Sequence, residues 1–305
     1  MKLEQKLFGV TFQNPVLLAS GTCGYGEEMQ GFFDVDELGG LVIKAVTVEE
    51  RSGNAAPRVI EYEAGMMNSI GLANAGVTAV KQEKLPWLAQ RVKRAHILIN
   101  VAGKTVAEFA DIIRELDDAP GFLGYELNVS CPNVKEGGTY FSSRADLLAD
   151  AVRAARAATM RPLLVKLAPN VPDIGAMAEV AVDEGADGLT LINTFPGLLF
   201  DLSTRRARLG AGTGGVSGPA ILPMGVHAVY QASRRVKVPI VGVGGIRTAD
   251  DALQYFLAGA SLIQIGTASF ADPRAGQRVL SGLGDRVAAM GVSHLSELIG
   301  SGRLN

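Results

Sequence analysis

Cysteine is scarce in this sequence, and its scarcity excludes several kinds of metal site. The 305 residues include two cysteines, Cys23 and Cys131, whereas an iron–sulfur cluster or a Cys₄ zinc site takes four thiolates. The three histidines, which are His96, His227 and His294, do not have metal-ligand spacing. We therefore expect no metal on this chain, and we expect both thiols to be reduced, as in the cytosol.

The sequence also lacks an excess of one charge and long apolar runs. Lysine and arginine number 29 against 31 aspartates and glutamates, so no basic footprint indicates binding to nucleic acid or to a membrane surface. No run reaches the roughly 18 apolar residues of a membrane span, and residues 1–7 do not contain the apolar core of a signal peptide. We expect a cytoplasmic protein whose partner is a small molecule or another protein.

Aromatic residues are few, at 6%, whereas 37 glycines and 48% hydrophobic residues are typical of an α/β protein with short strands. Eight short apolar runs are present: PVLLAS (15–20), LVIKAV (41–46), HILINVAG (96–103), YELNVS (125–130), LLVKLA (163–168), LTLINT (189–194), IVGVGG (240–245) and LIQIGT (262–267). Helical periods follow at residues 78–94, 105–116, 143–158, 173–184, 221–235, 248–258 and 273–290. This alternation predicts a (β/α)₈ TIM barrel that spans residues 1–305 as a single domain, with an open doubly wound sheet as the alternative.

Three segments lie outside this alternation. Residues 3–12 alternate polar and apolar side chains and predict a hairpin that closes the bottom of the barrel. Residues 47–74 and 195–219 are long and rich in glycine, and a short strand is predicted within the first of them, at residues 58–62. Because both segments leave the C-terminal ends of strands, we expect both to cover the mouth of the barrel, where TIM barrels have their active sites.

A polar residue or a glycine stands near the C-terminal end of nearly every predicted strand. These residues are Ser20, Lys44, Asn100, Asn128, Lys166, Asn193, Thr194, Gly244, Gly245, Gly266 and Thr267. A lysine inside an apolar strand is costly unless its charge is paired, and no obvious carboxylate partner stands at the neighbouring strand ends. We therefore expect Lys44 and Lys166 to face an anionic ligand, with a structural ion pair as the alternative.

Glycines end the last two predicted strands, in GVGGI at residues 242–246 and in QIGTA at residues 264–268. Each of these sequences precedes a predicted helix. Glycine lets backbone amides approach a phosphate, and a helix N-terminus favours negative charge. The two sequences together predict a phosphorylated ligand or cofactor.

The stretch GYELNVSCPNVKEGGTYFSS, residues 124–143, places Cys131 at the exit of the fourth predicted strand. Asn128 precedes this cysteine by three residues, and Asn133 follows it by two. The loop then runs for about a dozen residues, a length typical of lids and binding loops. Two interpretations are open, namely a cysteine that takes part in chemistry and a buried structural cysteine beside a turn proline.

The sequence NVSCPNVKEGG resembles the active-site loop of the class 1 dihydroorotate dehydrogenases, and most closely that of class 1B. Other motifs of the family occur in the family's order: SGTCGYG, IKAVT, GMMNSIGLANAG, INVAG, VKLAP, INTFPG, GGVSGPA, GVGGI and IGTA. The family context has GMLN where this chain has GMMN, and a proline is common where Ala75 stands. Neither difference falls on a position that the family uses to bind a ligand.

The resemblance implies an oxidoreductase that converts (S)-dihydroorotate to orotate in the de novo synthesis of UMP, with FMN in the barrel mouth and Cys131 as the general base. To FMN it assigns Ser20, Lys44, Ala45, Asn100, Asn128, Lys166, Ile192, Gly218, Gly244, Gly245, Gly266 and Thr267. To the substrate it assigns Lys44, Asn68, Ser69, Ile70, Gly71, Leu72, Asn128, Asn193 and Thr194.

The resemblance also implies partners. In class 1B the barrel subunit forms a homodimer and joins a second subunit, which carries FAD and a [2Fe–2S] cluster and passes electrons to NAD⁺, so that the complex is a heterotetramer. Fumarate, the electron acceptor of class 1A, is the alternative within the family. An aldolase or isomerase that binds a phosphate is the alternative in another class of enzyme.

We predict that Cys131→Ser slows flavin reduction by dihydroorotate by orders of magnitude, while FMN and orotate still bind. A serine hydroxyl is a much weaker base than a thiolate, and an ordinary thiol, with a pKa of about 8.5, makes the wild-type rate rise with pH. Anaerobic stopped-flow absorbance measures this rate. A variant that keeps most of its activity would remove Cys131 from the mechanism.

Overall fold

The strands and helices follow the alternation that the sequence predicts. The computed structural model describes residues 2–129 and 139–304. Its strands are β1 Gln5–Leu7, β2 Val10–Phe12, β3 Val16–Leu18, β4 Gly40–Val46, β5 Val59–Tyr62, β6 Gly65–Asn68, β7 His96–Val101, β8 Gly124–Asn128, β9 Leu163–Lys166, β10 Gly188–Leu191, β11 Phe195–Gly197, β12 Phe200–Asp201, β13 Arg206–Ala207, β14 Gly214–Ser217, β15 Ile240–Val243 and β16 Leu262–Ile265. Its α-helices are α1 Gly76–Ala79, α2 Leu85–Arg91, α3 Val106–Leu116, α4 Thr139–Ser143, α5 Ala145–Arg156, α6 Ile174–Asp183, α7 Leu222–Ser233, α8 Ala249–Ala258, α9 Ala268–Ala271 and α10 Ala275–Ala289.

Eight parallel strands close into a barrel in the order β3, β4, β7, β8, β9, β10, β15 and β16, and β16 pairs with β3. They are the eight predicted runs, so the TIM barrel is confirmed and the open sheet is excluded. Side chains alternate between the two faces of each strand. In β8, the hydroxyl of Tyr125 donates to the carbonyl of Ile113 in α3, whereas Glu126 points into the barrel and bonds across it to Thr190.

Apolar side chains fill the N-terminal end of the barrel. An inner cluster of fully buried side chains consists of Phe12, Leu17, Val42, Leu98, Leu164, Val241 and Leu262. Leu7, Phe8 and Val10 of the β1–β2 hairpin pack against this cluster. The hairpin predicted at residues 3–12 therefore closes the bottom of the barrel, as expected.

The two long insertions pair with each other at the opposite end of the barrel. Strands β5 and β6 come from the first insertion and β11 and β14 from the second, and together they form an antiparallel sheet in the order β11, β14, β6, β5. Met67 lies opposite Val216 in this sheet. We call these four strands the roof sheet. The sequence predicted that both insertions cover the mouth, and the structure shows in addition that backbone hydrogen bonds join them.

Several helices begin where the sequence predicts, and a side chain caps each of these N-termini. Thr105, Asp173 and Thr248 each accept a hydrogen bond from a backbone amide of the first turn that follows. The helix predicted at residues 78–94 is instead α1, a π-helical turn over Val80–Lys84, and α2. Pro86, in the first turn of α2, has no amide hydrogen for regular helical bonding.

Short 3₁₀ helices occupy Glu27–Met29, Val35–Glu37, Pro219–Ile221 and Leu295–Glu297. Across residues 2–129 and 139–304, none of the helices is both long enough and apolar enough to cross a lipid bilayer.

We predict that Phe12→Ala lowers the free energy of unfolding by about 3–5 kcal/mol, because it empties a buried ring site in the inner cluster. Phe12 has no exposed surface, and its ring also makes an edge-to-face contact with His96 at a centroid distance of 4.6 Å. Urea denaturation at matched ligand content measures the change. Phe200→Ala is the control, since Phe200 is 55% exposed, and equal losses in the two variants would contradict the role given to the hairpin.

Candidate functional site

A cavity of about 490 Å³ lies between the C-terminal ends of the barrel strands and the roof sheet. Residues at or just after the ends of all eight barrel strands line it. Roof residues such as Tyr62, Met66 and Ser217 line its other side. The C-terminal ends of parallel strands converge at one end of a closed barrel, so residues far apart in sequence meet there.

The structure brings most of the predicted site residues to this one cavity. Its lining includes Ser20, Lys44, Ala45, Asn68, Ile70, Gly71, Leu72, Asn100, Asn128, Lys166, Ile192, Asn193, Thr194, Gly218, Gly244, Gly245, Gly266 and Thr267. Ser69 does not line the cavity. Cys131, the predicted general base, lies outside the described residues.

Ser69 is fully buried behind the cavity wall, where its hydroxyl accepts a hydrogen bond from the Asn54 side chain at 2.9 Å. Asn54 also donates its backbone amide to the carbonyl of Ile70 at 3.0 Å. A side chain at Gly71, whose φ is +73°, would come within 2.5 Å of the Asn54 amide oxygen. Asn54, which no sequence motif indicated, therefore holds the segment of residues 69–71 against the cavity.

The two lysines differ from each other, and the expectation that neither has a nearby carboxylate partner was wrong for Lys166. Lys166 lies 3.8 Å from the carboxylate of Glu126, which is on the adjacent strand β8. A carboxylate partner would be expected at a strand end, whereas Glu126 stands two residues before the end of β8. Lys44 has no carboxylate within ion-pair distance among the described residues, and it lines the cavity.

Glu126 is the centre of a buried polar cluster in the barrel interior. One carboxylate oxygen accepts from the amide of Asn100 at 2.8 Å. The other accepts from the Thr190 hydroxyl at 2.8 Å and from the Gln264 amide at 2.7 Å. Glu126, Asn100, Thr190 and Gln264 have no exposed surface. The sequence did contain a signal for Glu126. It is an acidic residue in an apolar strand, two residues before Asn128, so both side chains are expected on the same, inward face of β8.

Asn100, Asn128 and Lys166 line the side of the cavity next to this cluster, and we call them the cavity floor. The Asn128 side chain donates to the Asn100 amide oxygen at 3.3 Å. The Asn128 amide oxygen is buried and has no hydrogen-bond partner among the described residues. A buried polar atom without a partner is costly, so this oxygen is suited to accept a hydrogen bond from a ligand.

The opposite end of the cavity is built from glycine turns. Gly244 and Gly245 follow β15 with φ of +130° and +74°, and the backbone amide of Gly245 has no acceptor among the described residues. A side chain at Gly245 would come within 2.8 Å of the Leu222 backbone nitrogen. The Tyr255 hydroxyl donates to the Gly244 carbonyl at 2.7 Å and fixes the turn.

One part of the phosphate prediction needs a correction. The N-terminus of α8, which follows β15, has its own capping box, in which the side chains of Thr248 and Asp251 accept from each other's backbone amides. The Asp251 carboxylate therefore already lies at the end of α8 that would otherwise favour an anion. After β16, in contrast, α9 begins directly at Ala268, next to Thr267. The free amide at this end comes from the glycine turn rather than from the N-terminus of α8.

The sequence model of the dihydroorotate dehydrogenase family matches residues 2–287. This chain belongs to the dihydroorotate dehydrogenase family. It is 43% identical over 299 residues to a "Dihydroorotate dehydrogenase B (NAD(+)), catalytic subunit" of Geotalea uraniireducens, with 98% of this chain and 97% of the relative covered. It is 44% identical to the protein of that name from Geobacillus kaustophilus, with 98% and 95% covered.

A relative from Solibacter usitatus is 47% identical over 300 residues, with 98% of both chains covered, and is named "Putative dihydroorotate dehydrogenase A (fumarate)". The class names of these relatives thus disagree. The motifs of the active-site loop and the relatives named as B-type catalytic subunits place this dihydroorotate dehydrogenase chain in class 1B. The crystal structure of the Eimeria tenella enzyme in complex with ferulenol has the same fold, with a TM-score of 0.84 at 24% identity, over 98% of this chain and 88% of that one.

Dihydroorotate dehydrogenases are flavin-dependent, and the cavity fits a flavin nucleotide. Its glycine turn provides a free backbone amide for a phosphate. Its floor provides a cation and the Asn128 amide oxygen, an acceptor for a polar ring edge that residues 2–129 and 139–304 leave without a partner. Ala45, Ile192 and Val243 line the cavity between these ends with apolar surface.

Cys23 follows the first barrel strand, near the cavity in sequence, but its thiol does not have the setting of a catalytic group. Its thiol is fully buried and lies 3.4 Å from the carbonyl oxygen of Val42. Burial, and to a smaller extent the negative charge of Glu28, raise the pKa of the Cys23 thiol to about 12. A thiol with so high a pKa is neither a base nor a nucleophile at neutral pH.

We predict that Cys23 in the native protein resists alkylation by iodoacetamide at pH 8.5. With the pKa raised to about 12, far less than 1% of the thiol is ionised there, and the thiolate is the reactive form. Peptide mass mapping reads Cys23 separately from Cys131, and the urea-unfolded protein provides the fully reactive reference. Rapid labelling of native Cys23 would contradict the burial and the pKa.

Proposed function

We propose that this protein oxidises (S)-dihydroorotate to orotate in pyrimidine biosynthesis, with FMN bound in the cavity. The observation that carries the proposal is the meeting of an amide-lined glycine turn, a paired lysine and several carboxamides in one cavity of a chain that belongs to this family. Gly244, Gly245, Gly218, Gly266 and Thr267 hold the phosphate. Bound FMN supplies the acceptor for the hydride that leaves C6 of the substrate.

The cavity floor and the neighbouring strand ends bind the polar edges of the flavin ring and of the substrate ring. Lys166 lies 3.8 Å from Glu126 and provides positive charge at the floor, where negative charge that develops during the reaction is stabilised. Lys44 is the cation that balances the substrate carboxylate. Asn68, Asn128 and Asn193 bind the ring amides and carbonyls, because carboxamides both donate and accept hydrogen bonds.

In this proposal Cys131 takes the proton from C5 of dihydroorotate. Loss of this proton and of the C6 hydride makes the C5–C6 double bond of orotate. Thr194 and the segment of residues 70–72 close the substrate side of the cavity under the roof sheet. Together they exclude water, which strengthens the electrostatic interactions around the ring.

The electrons go next to NAD⁺ through a partner subunit. This proposal rests on relatives that are named catalytic subunits of an NAD⁺-linked enzyme. We assign the FAD and the [2Fe–2S] cluster to the partner. This chain cannot hold the cluster itself, because its two cysteines are too few to ligate it. Two copies of this chain and two of the partner form a heterotetramer. Fumarate is a second candidate acceptor, favoured by the name of the Solibacter relative.

Anaerobic addition of dihydroorotate to the FMN-loaded protein tests the proposal. The yellow colour should bleach, and orotate should form in equal amount to the bound FMN. Dihydrouracil, which lacks the carboxylate, is the control substrate and should react far more slowly, and Lys44→Ala should reduce this preference. A protein that does not take up FMN, or that keeps its colour with dihydroorotate, would reject the function and favour a phosphate-binding aldolase or isomerase.

The acceptor is assayed separately. NAD⁺ reduction that requires a co-purified flavin and iron–sulfur protein supports the class 1B complex. Turnover with fumarate by the barrel chain alone would instead support the second candidate.

We predict that Tyr255→Phe weakens FMN binding by roughly threefold to tenfold, the worth of one hydrogen bond of ~0.5–1.5 kcal/mol, and that it leaves riboflavin binding nearly unchanged. The lost hydroxyl holds the Gly244 carbonyl and with it the turn that faces the phosphate. Quenching of flavin fluorescence measures both affinities. Tyr230→Phe is the matched control, since its hydroxyl bonds to Arg234 on the surface; equal losses for FMN and riboflavin in Tyr255→Phe would contradict a role at the phosphate.

A further inference from the structure

We infer that Glu126 is a positioning residue that decides which atoms the cavity floor offers to a ligand. It fixes the side-chain amide of Asn100, and through Asn100 that of Asn128, so that Asn128 turns an acceptor oxygen towards the ligand. The identity of the ligand rests on the proposed function. The orientation of the two amides does not depend on it.

Hydrogen-bond donors surround the carboxylate of Glu126. Three hydrogen-bond donors and the ammonium of Lys166 converge on its two oxygens, from strands β7, β9, β10 and β16. An ionised carboxylate accepts hydrogen bonds and cannot donate them. Every group that bonds to Glu126 must therefore present a donor, whatever else it contacts.

This requirement sets the orientation of Asn100. Its nitrogen lies 2.8 Å from Glu126; a half-turn of the side-chain amide would bring its oxygen against the carboxylate, two acceptors in contact. Its oxygen must therefore face Asn128, which donates to it at 3.3 Å. The nitrogen of Asn128 is thereby used within the protein, and its oxygen is left without a partner among the described residues.

The resulting pattern selects a chemical class of ligand group. Asn128 and Lys166 are paired residues on the adjacent strands β8 and β9, so a free acceptor and a cation stand side by side. A ring N–H next to a carbonyl oxygen satisfies both at once. This group occurs in cyclic amides and imides, and both a dihydropyrimidine and the pyrimidine edge of a flavin carry it.

We call the chain of hydrogen bonds from Glu126 through Asn100 to Asn128 the relay. Moving the negative charge from position 126 to position 128 tests it. In Asn128→Asp, a carboxylate oxygen replaces the donor that faces the Asn100 oxygen, and Asn100 cannot turn while Glu126 holds its nitrogen. In the double variant Glu126→Gln/Asn128→Asp, the new glutamine can donate to the Asn100 oxygen. Asn100 then turns and donates its nitrogen to Asp at position 128, and the hydrogen bonds are complete again.

Two measurements are made on each variant. The urea midpoint of the FMN-free protein reports on the amide chain without any ligand, and flavin fluorescence reports on the affinity for FMN. We expect Asn128→Asp to weaken FMN binding by at least about tenfold, the effect of an acceptor placed against an acceptor in a buried site. We expect the added Glu126→Gln to restore at least about threefold of this loss and to raise the urea midpoint, a coupling between residues that share hydrogen bonds.

A second pair of variants makes the same test if Asn128→Asp does not fold. Asn100→Asp places two carboxylates together, and Glu126→Gln should rescue it, because the donor and the acceptor of that bond are then exchanged while Asn128 keeps its orientation. Thr190→Val is the control. It removes one donor to the other oxygen of Glu126 and should rescue neither aspartate variant.

The relay is overturned if neither double variant recovers what its single variant lost, or if Thr190→Val rescues as well as Glu126→Gln. Coupling in the urea midpoints combined with a failure to bind FMN would leave the relay standing and reject the proposed function. If Asn128→Asp leaves the affinity for FMN unchanged and lowers only the affinity of the FMN-loaded protein for orotate, the expected loss of FMN binding is contradicted and the ring N–H belongs to the pyrimidine. An effect on FMN alone assigns it to the flavin.

Discussion

A carboxylate without exposed surface, that of Glu126, lies in the interior of the barrel and joins side chains from five of its eight strands. Removal of such a charge from water costs several kcal/mol, and the cost is offset only where donors and an opposite charge surround it. The neighbouring positions of β7, β9, β10 and β16 therefore carry donors rather than apolar side chains. This single charge divides the barrel interior into an apolar half, closed by the hairpin, and a polar half that opens into the cavity.

The roof sheet completes the cavity, and it depends on both insertions at once. Neither insertion covers the mouth as an independent loop, because β6 finds its hydrogen-bond partners in β14, which comes about 150 residues later in the chain. The Thr267 hydroxyl after the last barrel strand donates to the Ser217 hydroxyl of the roof at 2.7 Å. Barrel and roof are thus linked at the phosphate end, next to the glycine turn that Tyr255 holds from behind.

Much of the architecture could be predicted because its causes are local. Parallel strands buried on both faces appear as runs of Val, Ile and Leu, and capping residues such as Thr105 and Thr248 mark helix starts. The site residues could be predicted as a group, because every strand end of a closed barrel reaches the same mouth. The partner of Lys166 could not, since whether Glu126 faces the lysine depends on strand register. Ser69 lies behind the wall for a similar reason, because Asn54 decides which side of its segment faces inward.

The sequence by itself therefore determined the order of strands and helices, the family, and the set of polar residues and glycines that gather at one end of the barrel. These features depend on the periodicity of apolar residues and on residue type, and both can be seen in a short stretch of the chain. Only the tertiary structure decided the pairing of Lys166 with Glu126, the joining of the two insertions and the orientation of the floor amides. Each of these requires the distance between residues of different strands, and barrel closure and register set that distance.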